Sequence, residues 1–382
     1  MKLPPLALYV HIPWCVKKCP YCDFNSHARG SHLPQSEYVD CLLQDLQQEL
    51  PLVQGRKVHS IFFGGGTPSL FDAVSLERLL ESLEHQLGFE DGIEITLEAN
   101  PGTAEQEKFK GFRQAGINRL SIGVQSFDDR HLQTLGRIHC ADEAERAFDM
   151  ARRAGFDNIN LDLMHGLPQQ SAEDAVSDLS RALACGPEHL SWYQLTVEPN
   201  TEFYSRPPLL PEDDTLADIQ QAGEQLLAQH GYQQYEVSAY ARDQRRSRHN
   251  LNYWRFGDYL GLGAGAHGKI TLPDEGRVKR RWKTRQPEHY MDPERAFCAG
   301  EKTIGADDLP LEFMMNALRL CDGVPRSLFA ERTGLSDSTL AVPLRRLQSL
   351  ELMEDRCDYY QVSELGRRYL NSVIAEFMED SE

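Results

Sequence analysis

Apolar, β-branched runs return along this chain at intervals of roughly 30 residues, the size of one strand–helix unit. No other feature constrains the fold as much. The runs read Leu6–Ile12, His59–Phe63, Ile93–Glu98, Arg119–Val124, Asn158–Met164 and His189–Val197. Helix-period segments separate them, one opening on Ser171-x-x-Asp174, a serine N-cap with an acidic residue three positions on. Such alternation implies an α/β architecture, a parallel sheet with right-handed crossovers. Six units fall short of the eight in a closed (β/α)8 barrel. The expectation is a partial (βα)6 barrel over roughly the first 200 residues, with Tyr232–Tyr240 as one further strand.

The first run leads through Pro13 into Cys15, Cys19 and Cys22, a C-x3-C-x2-C loop. Thiolates are soft ligands that select zinc, copper(I) or iron–sulfur clusters. A [4Fe–4S] cluster usually takes four cysteines, so three on one loop leave one iron open for chemistry. Zinc would need a closed set of four, with His11, Asp23 or His27 supplying the last ligand. A disulfide is the remaining alternative. Spacing favours the open cluster and leaves all three readings standing.

Parallel α/β proteins build their sites at the C-terminal ends of the strands. Here those ends carry the cysteine loop, Gly64-Gly65-Gly66-Thr67-Pro68, Glu98-Ala99-Asn100-Pro101, Gln125-Ser126, and Asp162 followed by His165-Gly166. Any one of these is ordinary turn chemistry. Together, in register with three cysteines, they point to one site and weigh against zinc and a disulfide.

The loop as it stands resembles the signature of the radical S-adenosylmethionine (SAM) enzymes. In that family the open iron chelates SAM, and electron transfer to SAM yields a 5′-deoxyadenosyl radical. The strand-end motifs, with Tyr9-x-His11-Ile12-Pro13-x-Cys15 and Asp162-Leu163-Met164-x-Gly166-Leu167-Pro168, resemble the branch containing oxygen-independent coproporphyrinogen III dehydrogenase (HemN-like). The resemblance implies a radical-SAM (βα)6 barrel with Cys15, Cys19 and Cys22 on the cluster. It further implies Gly65, Gly66 and Thr67 at the SAM amino group, Glu98, Gln125, Arg137 and Asp162 along the rest of SAM, and Tyr9 over it. Two departures separate this chain from the dehydrogenase. Phe24 stands where that enzyme has a fourth cysteine, and the first strand begins at about residue 6, without the enzyme's N-terminal extension. Instead, His249-Asn250-Leu251-Asn252-Tyr253-Trp254 matches the H-N-x-x-Y-W element of the HemW-type heme chaperones.

What this resemblance implies is a protein that binds a [4Fe–4S] cluster, SAM and heme and delivers heme to acceptor proteins such as respiratory enzymes. His249 becomes a candidate heme ligand, with His11 and His267 as rivals, and a homodimer is suggested. Radical decarboxylation of propionates by a coproporphyrinogen III dehydrogenase is the competing function. Taken without the family, a histidine beside Asn, Tyr and Trp more often makes a hydrogen-bonded corner. Gly263-Ala264-Gly265-Ala266-His267-Gly268 satisfies G-x-G-x-x-G but lacks the context of a dinucleotide fingerprint, so it reads as a turn.

Composition narrows the partners. A formal net charge of -18 on 382 residues repels phosphate and argues against nucleic acid. The six cysteines outside the loop are scattered singly, as for reduced thiols, and no signal-like segment opens the chain, so the expectation is cytoplasmic. Two basic clusters interrupt the acidity, Arg242–Arg248 and Arg277–Arg285. Solvated hairpin faces are the ordinary explanation. The sharper one is attraction of propionates, an acidic partner or, as a peripheral membrane contact, anionic lipid headgroups. The core is expected over residues 1–284. From 285 to 382, helical stretches and a short hairpin-like run suggest a winged-helix-like α+β domain, lying over the barrel mouth as a lid or docking element.

Overall fold

A computed structural model of the chain describes residues 1–30, 32–103 and 106–378. Six parallel strands form its centre: β1 (Leu6–Ile12), β2 (Val58–Gly65), β3 (Phe89–Ala99), β4 (Arg119–Gln125), β5 (Ile159–His165) and β6 (His189–Gln194). They pair in chain order. Five long helices make the crossovers: α1 (Gln35–Val53), α2 (Ala73–Leu87), α3 (Gln106–Gln114), α4 (Ala141–Arg153) and α5 (Ala172–Cys185). Strands covered by helices must be apolar on both faces; in β1 every residue but Tyr9 is buried. At α5 the expected cap forms reciprocally, with Ser171 Oγ accepting from the Asp174 N–H at 3.2 Å and Asp174 Oδ2 from the Ser171 N–H at 3.0 Å. The (βα)6 partial barrel is thus the observed architecture.

The sheet is wider than those six units. The run expected as one strand at Tyr232–Tyr240 turns back at Val237-Ser238, giving β7 (Gln233–Glu236) and β8 (Ala239–Ala241), a hairpin set antiparallel on β6. Its two tyrosines consequently serve different cores, Tyr240 the barrel and Tyr235 the C-terminal part. At the opposite edge lie β9 (Asp258–Leu262), β10 (His267–Leu272), β11 (Arg277–Lys283) and β12 (Cys298–Thr303). Strand β9 runs parallel to β1, and the rest follow antiparallel. The order across the sheet is β12-β11-β10-β9-β1-β2-β3-β4-β5-β6-β8-β7. The sheet therefore passes residue 284, expected as the end of the core, because β12 pairs with β11.

Beyond it, the helices Leu309–Ala317, Ser327–Thr333 and Ala341–Ser349 pack with a small antiparallel ladder, Val324–Pro325 on Tyr359–Tyr360, as in a winged helix. Phe313, Phe329, Leu347 and Val373 share one core with Phe256 and Val278 of the sheet extension. The Lys2 N–H donates to Glu331 O at 2.7 Å. This domain accordingly packs against the strand starts, not over the mouth, the place expected for a lid or docking element. The physical reason is apolar continuity: Phe256 precedes β9 and offers its ring to Phe313 at 5.7 Å between centroids. No helix among the described residues is long and apolar enough to cross a membrane.

Candidate functional site

The cysteine loop is pinned by its ends. Trp14–Cys15 pairs with His27–Ala28 as a two-residue parallel ladder, so the far end of the loop returns to Cys15, close to where the loop leaves β1. The glycine run after β2 locks onto the same segment: the Gly66 N–H donates to Ile12 O at 2.8 Å and the Thr67 N–H to Trp14 O at 2.7 Å. A Cβ on Gly66 would lie 2.4 Å from Trp14 O, and Gly65 has φ +115° with His11 against it. Glycine is required here so that two loops can share a backbone interface.

All three cysteines are free thiols, Cys15 buried and Cys19 and Cys22 half-buried. Burial raises the Cys15 thiol above its ordinary range, and Cys22 and Cys19 raise it further. Arg137 approaches Cys19 Sγ at 3.8 Å and donates to Gly123 O at 2.6 Å, while its buried Nε has no partner among the described residues. The single trio of candidate ligand side chains within 4.8 Å of one another, among the described residues, is Asp128, His131 and Asp174. The Asp128–Asp174 trio is already engaged, since Arg130 pairs with both carboxylates.

From the thiols an arc of polar groups follows the strand ends. Glu98 Oε2 accepts the Gly65 N–H at 3.2 Å. Asp162 accepts from Ser121 Oγ and Asn160 Nδ2, each at 2.8 Å. Gln125, at φ +71°, accepts from the Tyr193 hydroxyl at 2.8 Å. Tyr193 is close enough to feel Glu98, Asp162, Arg137 and Tyr21, so these groups surround one space. The sequence reading missed Tyr193, Tyr21, Ser121 and Asn160. Tyr193 was findable, because it lies at the same end of its strand as Gln125 and Asp162.

A cavity of about 850 Å³ opens beside this arc. Tyr9, His11, Gly65 and Glu98 line one side, Asp23, Phe24 and Asn25 the rim, and Tyr253, Tyr259, His267, Trp282, Lys283 and Arg285 the far side. Asn25 ties rim to far wall, donating from Nδ2 to Ala264 O at 2.9 Å and Arg285 O at 2.8 Å. Burial lowers the His11 imidazole to about 4, and both its nitrogens are engaged, with the Tyr9 hydroxyl and with Asn25 O, each at 2.9 Å.

The H-N-x-x-Y-W element forms a short helix, α6 (Arg248–Trp254), capped by Ser247. Its histidine does not reach the cavity. His249 is 2% exposed, stacked on Phe62, with Nδ1 3.3 Å from Ser60 Oγ and Nε2 2.9 Å from the Tyr253 hydroxyl. Burial lowers it to about 3. His249, expected from the resemblance as a heme ligand, stands one layer back in this fold: the helical i,i+4 spacing puts Tyr253 at the cavity and His249 behind it as its hydrogen-bond partner. The basic clusters are mostly spent within the fold, on pairs such as Arg245–Asp157, Arg246–Asp322 and Arg281–Glu301.

Glu98 supplies a test of this electrostatic picture. Burial, then Asp162, raise its carboxyl to about 8. An acid raised on folding keeps its proton where the unfolded chain has lost it, so stability falls as pH climbs from about 4.5 to about 8. The full shift corresponds to roughly 5 kcal/mol, and wetting by the cavity reduces what is realised to on the order of 2–3 kcal/mol. Glu98→Gln mimics the protonated form. Urea unfolding of the ligand-free protein should find it no more stable than wild type at pH 5 and more stable at pH 9; a pH-independent difference would contradict the assignment.

Comparison with known proteins agrees with this geometry. Residues 9–182 match the family model of the radical SAM superfamily, and residues 304–369 that of the HemN C-terminal domain. The chain is 52% identical to a protein of Haemophilus influenzae named heme chaperone HemW, over 99% of both chains. It is 50% identical to the Escherichia coli K12 protein of the same name, over 100% of both. A mouse mitochondrial protein, radical S-adenosyl methionine domain-containing protein 1, is 38% identical over 83% of this chain and 74% of its own. Among solved structures, Escherichia coli coproporphyrinogen III oxidase (HemN), described as a radical SAM enzyme, superposes with a TM-score of 0.83 at 25% identity, covering 99% of this chain and 91% of that one. With cluster loop, glycine run and strand-end arc in one site, and near-complete coverage at half identity, the chain belongs to the HemW family of the radical SAM superfamily.

Proposed function

We propose that this chain carries heme, holding a [4Fe–4S] cluster through Cys15, Cys19 and Cys22, binding SAM along the arc from Tyr9 to Asp162, and passing heme from the adjoining cavity to acceptor proteins such as respiratory enzymes. Membership in the radical SAM superfamily implies the cluster and SAM, and the relatives named heme chaperones support the cargo. When bound, a cluster with one open iron would chelate SAM's methionine end and supply it with an electron.

The chain's own residues have more modest tasks. The unpartnered Arg137 Nε is available to a carboxylate. Glu98, Asp162 and Gln125 offer acceptors for hydroxyl and amino groups, and Tyr9 closes the side toward His11. The observation that carries the reading is the cavity itself. At about 850 Å³ it exceeds what the arc of strand ends borders, and its outer side is aromatic and cationic, with Tyr259, Trp282 and Arg285. Such a wall suits a flat, carboxylate-bearing macrocycle.

The likeness to HemN favours a second reading, oxidative decarboxylation of porphyrinogen propionates. Phe24 weighs against it: where the dehydrogenase signature has a cysteine, this chain shows a phenylalanine 59% exposed at the cavity rim.

Anaerobic hemin titration of the cluster-reconstituted protein, followed by Soret difference spectra, tests the proposal. Saturable binding near one heme per chain is expected, without porphyrin product from coproporphyrinogen and SAM. His249→Ala should weaken binding about threefold by freeing Tyr253, without moving the Soret maximum, and His249→Gln should restore it. A shifted Soret in His249→Ala would return the iron to that histidine. No saturable binding would overturn the heme reading.

A further inference from the structure

Resting on the heme reading above, we propose that His267 and Arg285 form the heme subsite of the cavity: His267 ligates the iron, and Arg285 pairs with a propionate.

Two histidines line the cavity, and they differ in what is left to give. His11 has both ring nitrogens bonded, to Tyr9 and Asn25. His267 is exposed at the start of β10, and neither of its nitrogens has a hydrogen-bond partner among the described residues. Partial desolvation at the cavity wall, with Arg280 and Arg285 nearby, lowers its basicity and so favours the neutral ring, whose lone pair can bind iron. Opposite it in register on β11 stands Trp282, half-buried, which gives a macrocycle a face to lie against.

The same comparison singles out Arg285 within its cluster. Arg277 pairs with Glu275, Lys279 with Glu301, Arg280 with Glu312, Arg281 with Glu49 and Glu301, and Lys283 with Asp45 and Glu49. Arg285 lines the cavity, is exposed, and meets no carboxylate within ion-pair distance among the described residues. Its backbone is held in place by Asn25 at 2.8 Å, so a mobile strand end is not the cause. A guanidinium without an acid on an anchored backbone, beside an unpartnered imidazole and an aromatic face, matches a ligand with a metal at its centre and a carboxylate at its edge. The heme would then lie between this wall and the Phe24 rim.

The test uses the full-length, cluster-reconstituted protein with two probes, hemin and metal-free protoporphyrin IX. His267→Ala should shift the Soret maximum and weaken hemin about tenfold while leaving protoporphyrin IX within about twofold, since only hemin offers an iron. Arg285→Gln should weaken both probes about fivefold and leave the Soret maximum in place. Both side chains are exposed, and unchanged cluster content with unchanged circular dichroism confirms folding. Wild-type hemin binding with unaltered spectra and affinities in both variants would overturn the subsite and keep the heme reading. Equal losses of hemin and protoporphyrin IX in His267→Ala would overturn ligation by that residue. No hemin binding by wild type would overturn the heme reading itself.

Discussion

Cys19→Ser is expected to cut the [4Fe–4S] content of the reconstituted protein at least about tenfold, and Cys15→Ser and Cys22→Ser to do the same. Three ligands leave no spare, and a serine oxygen is a harder, poorer ligand for iron. The losses need not be alike in their side effects. Cys15 is buried on the ladder with His27–Ala28, so its replacement should also disturb the loop. Cys19 is only half-buried and touches Arg137, so its variant should fold normally and lose the cluster alone. Iron and sulfide analysis, with the broad absorbance of the cluster near 400 nm, checks the first point. Thermal unfolding of the apo proteins checks the second. Retention of full cluster content in any one of the three variants would remove that residue from the ligand set.

Lys283→Met is expected to cost about 3–5 kcal/mol of stability at neutral pH, the range for stranding buried charges by removing their partner. Lys283 is 2% exposed and holds Asp45 and Glu49, the latter at 2.7 Å, both carboxylates almost fully buried. Burial already raises the Asp45 carboxyl, and Lys283 is what pulls it back down. Without the lysine it rises further. A carboxyl held above its unfolded value destabilises the fold progressively as pH climbs past about 4. The deficit should therefore shrink toward pH 5 and be full at pH 8. Urea denaturation at the two pH values measures this, and an equal deficit at both would refute the electrostatic cause. The damage should travel to the site. Asp45 also accepts from the Tyr290 hydroxyl at 2.7 Å, and that hydroxyl accepts from the Gly263 N–H at 3.1 Å, which fixes the turn leading to His267.

Much of this was legible in the chain because the parallel strands are buried on both faces. Burial of that kind writes a continuous apolar run into the sequence, and all six runs became strands. Strand ends then predicted where polar groups would gather, and Glu98, Gln125 and Asp162 do surround one space. Strand β9 escaped the same reasoning. It opens on Asp258, a charge that reads as loop, yet this residue is fully buried beside Lys269 at 3.1 Å and Arg56 at 2.7 Å. Arg56 lies 202 residues earlier in the chain, and no local pattern announces it.

The H-N-x-x-Y-W element shows the same division. The resemblance to the heme-chaperone motif singled it out, and helical spacing links His249 to Tyr253. Which of the two faces the cavity depends on Ser60 and Phe62, almost 190 residues earlier in the chain, which close around the imidazole.

The sequence by itself determined the alternation of strands and helices, the cysteine loop, and the polar ends of the strands, because these follow from local spacing and one-residue chemistry. Tertiary structure alone decided how far the sheet extends and where the C-terminal domain docks. It also decided which basic residues are paired and which histidine is left open to a ligand. Each of those outcomes depends on a partner brought in from a distant part of the chain, and a side chain is free only when no such partner has arrived.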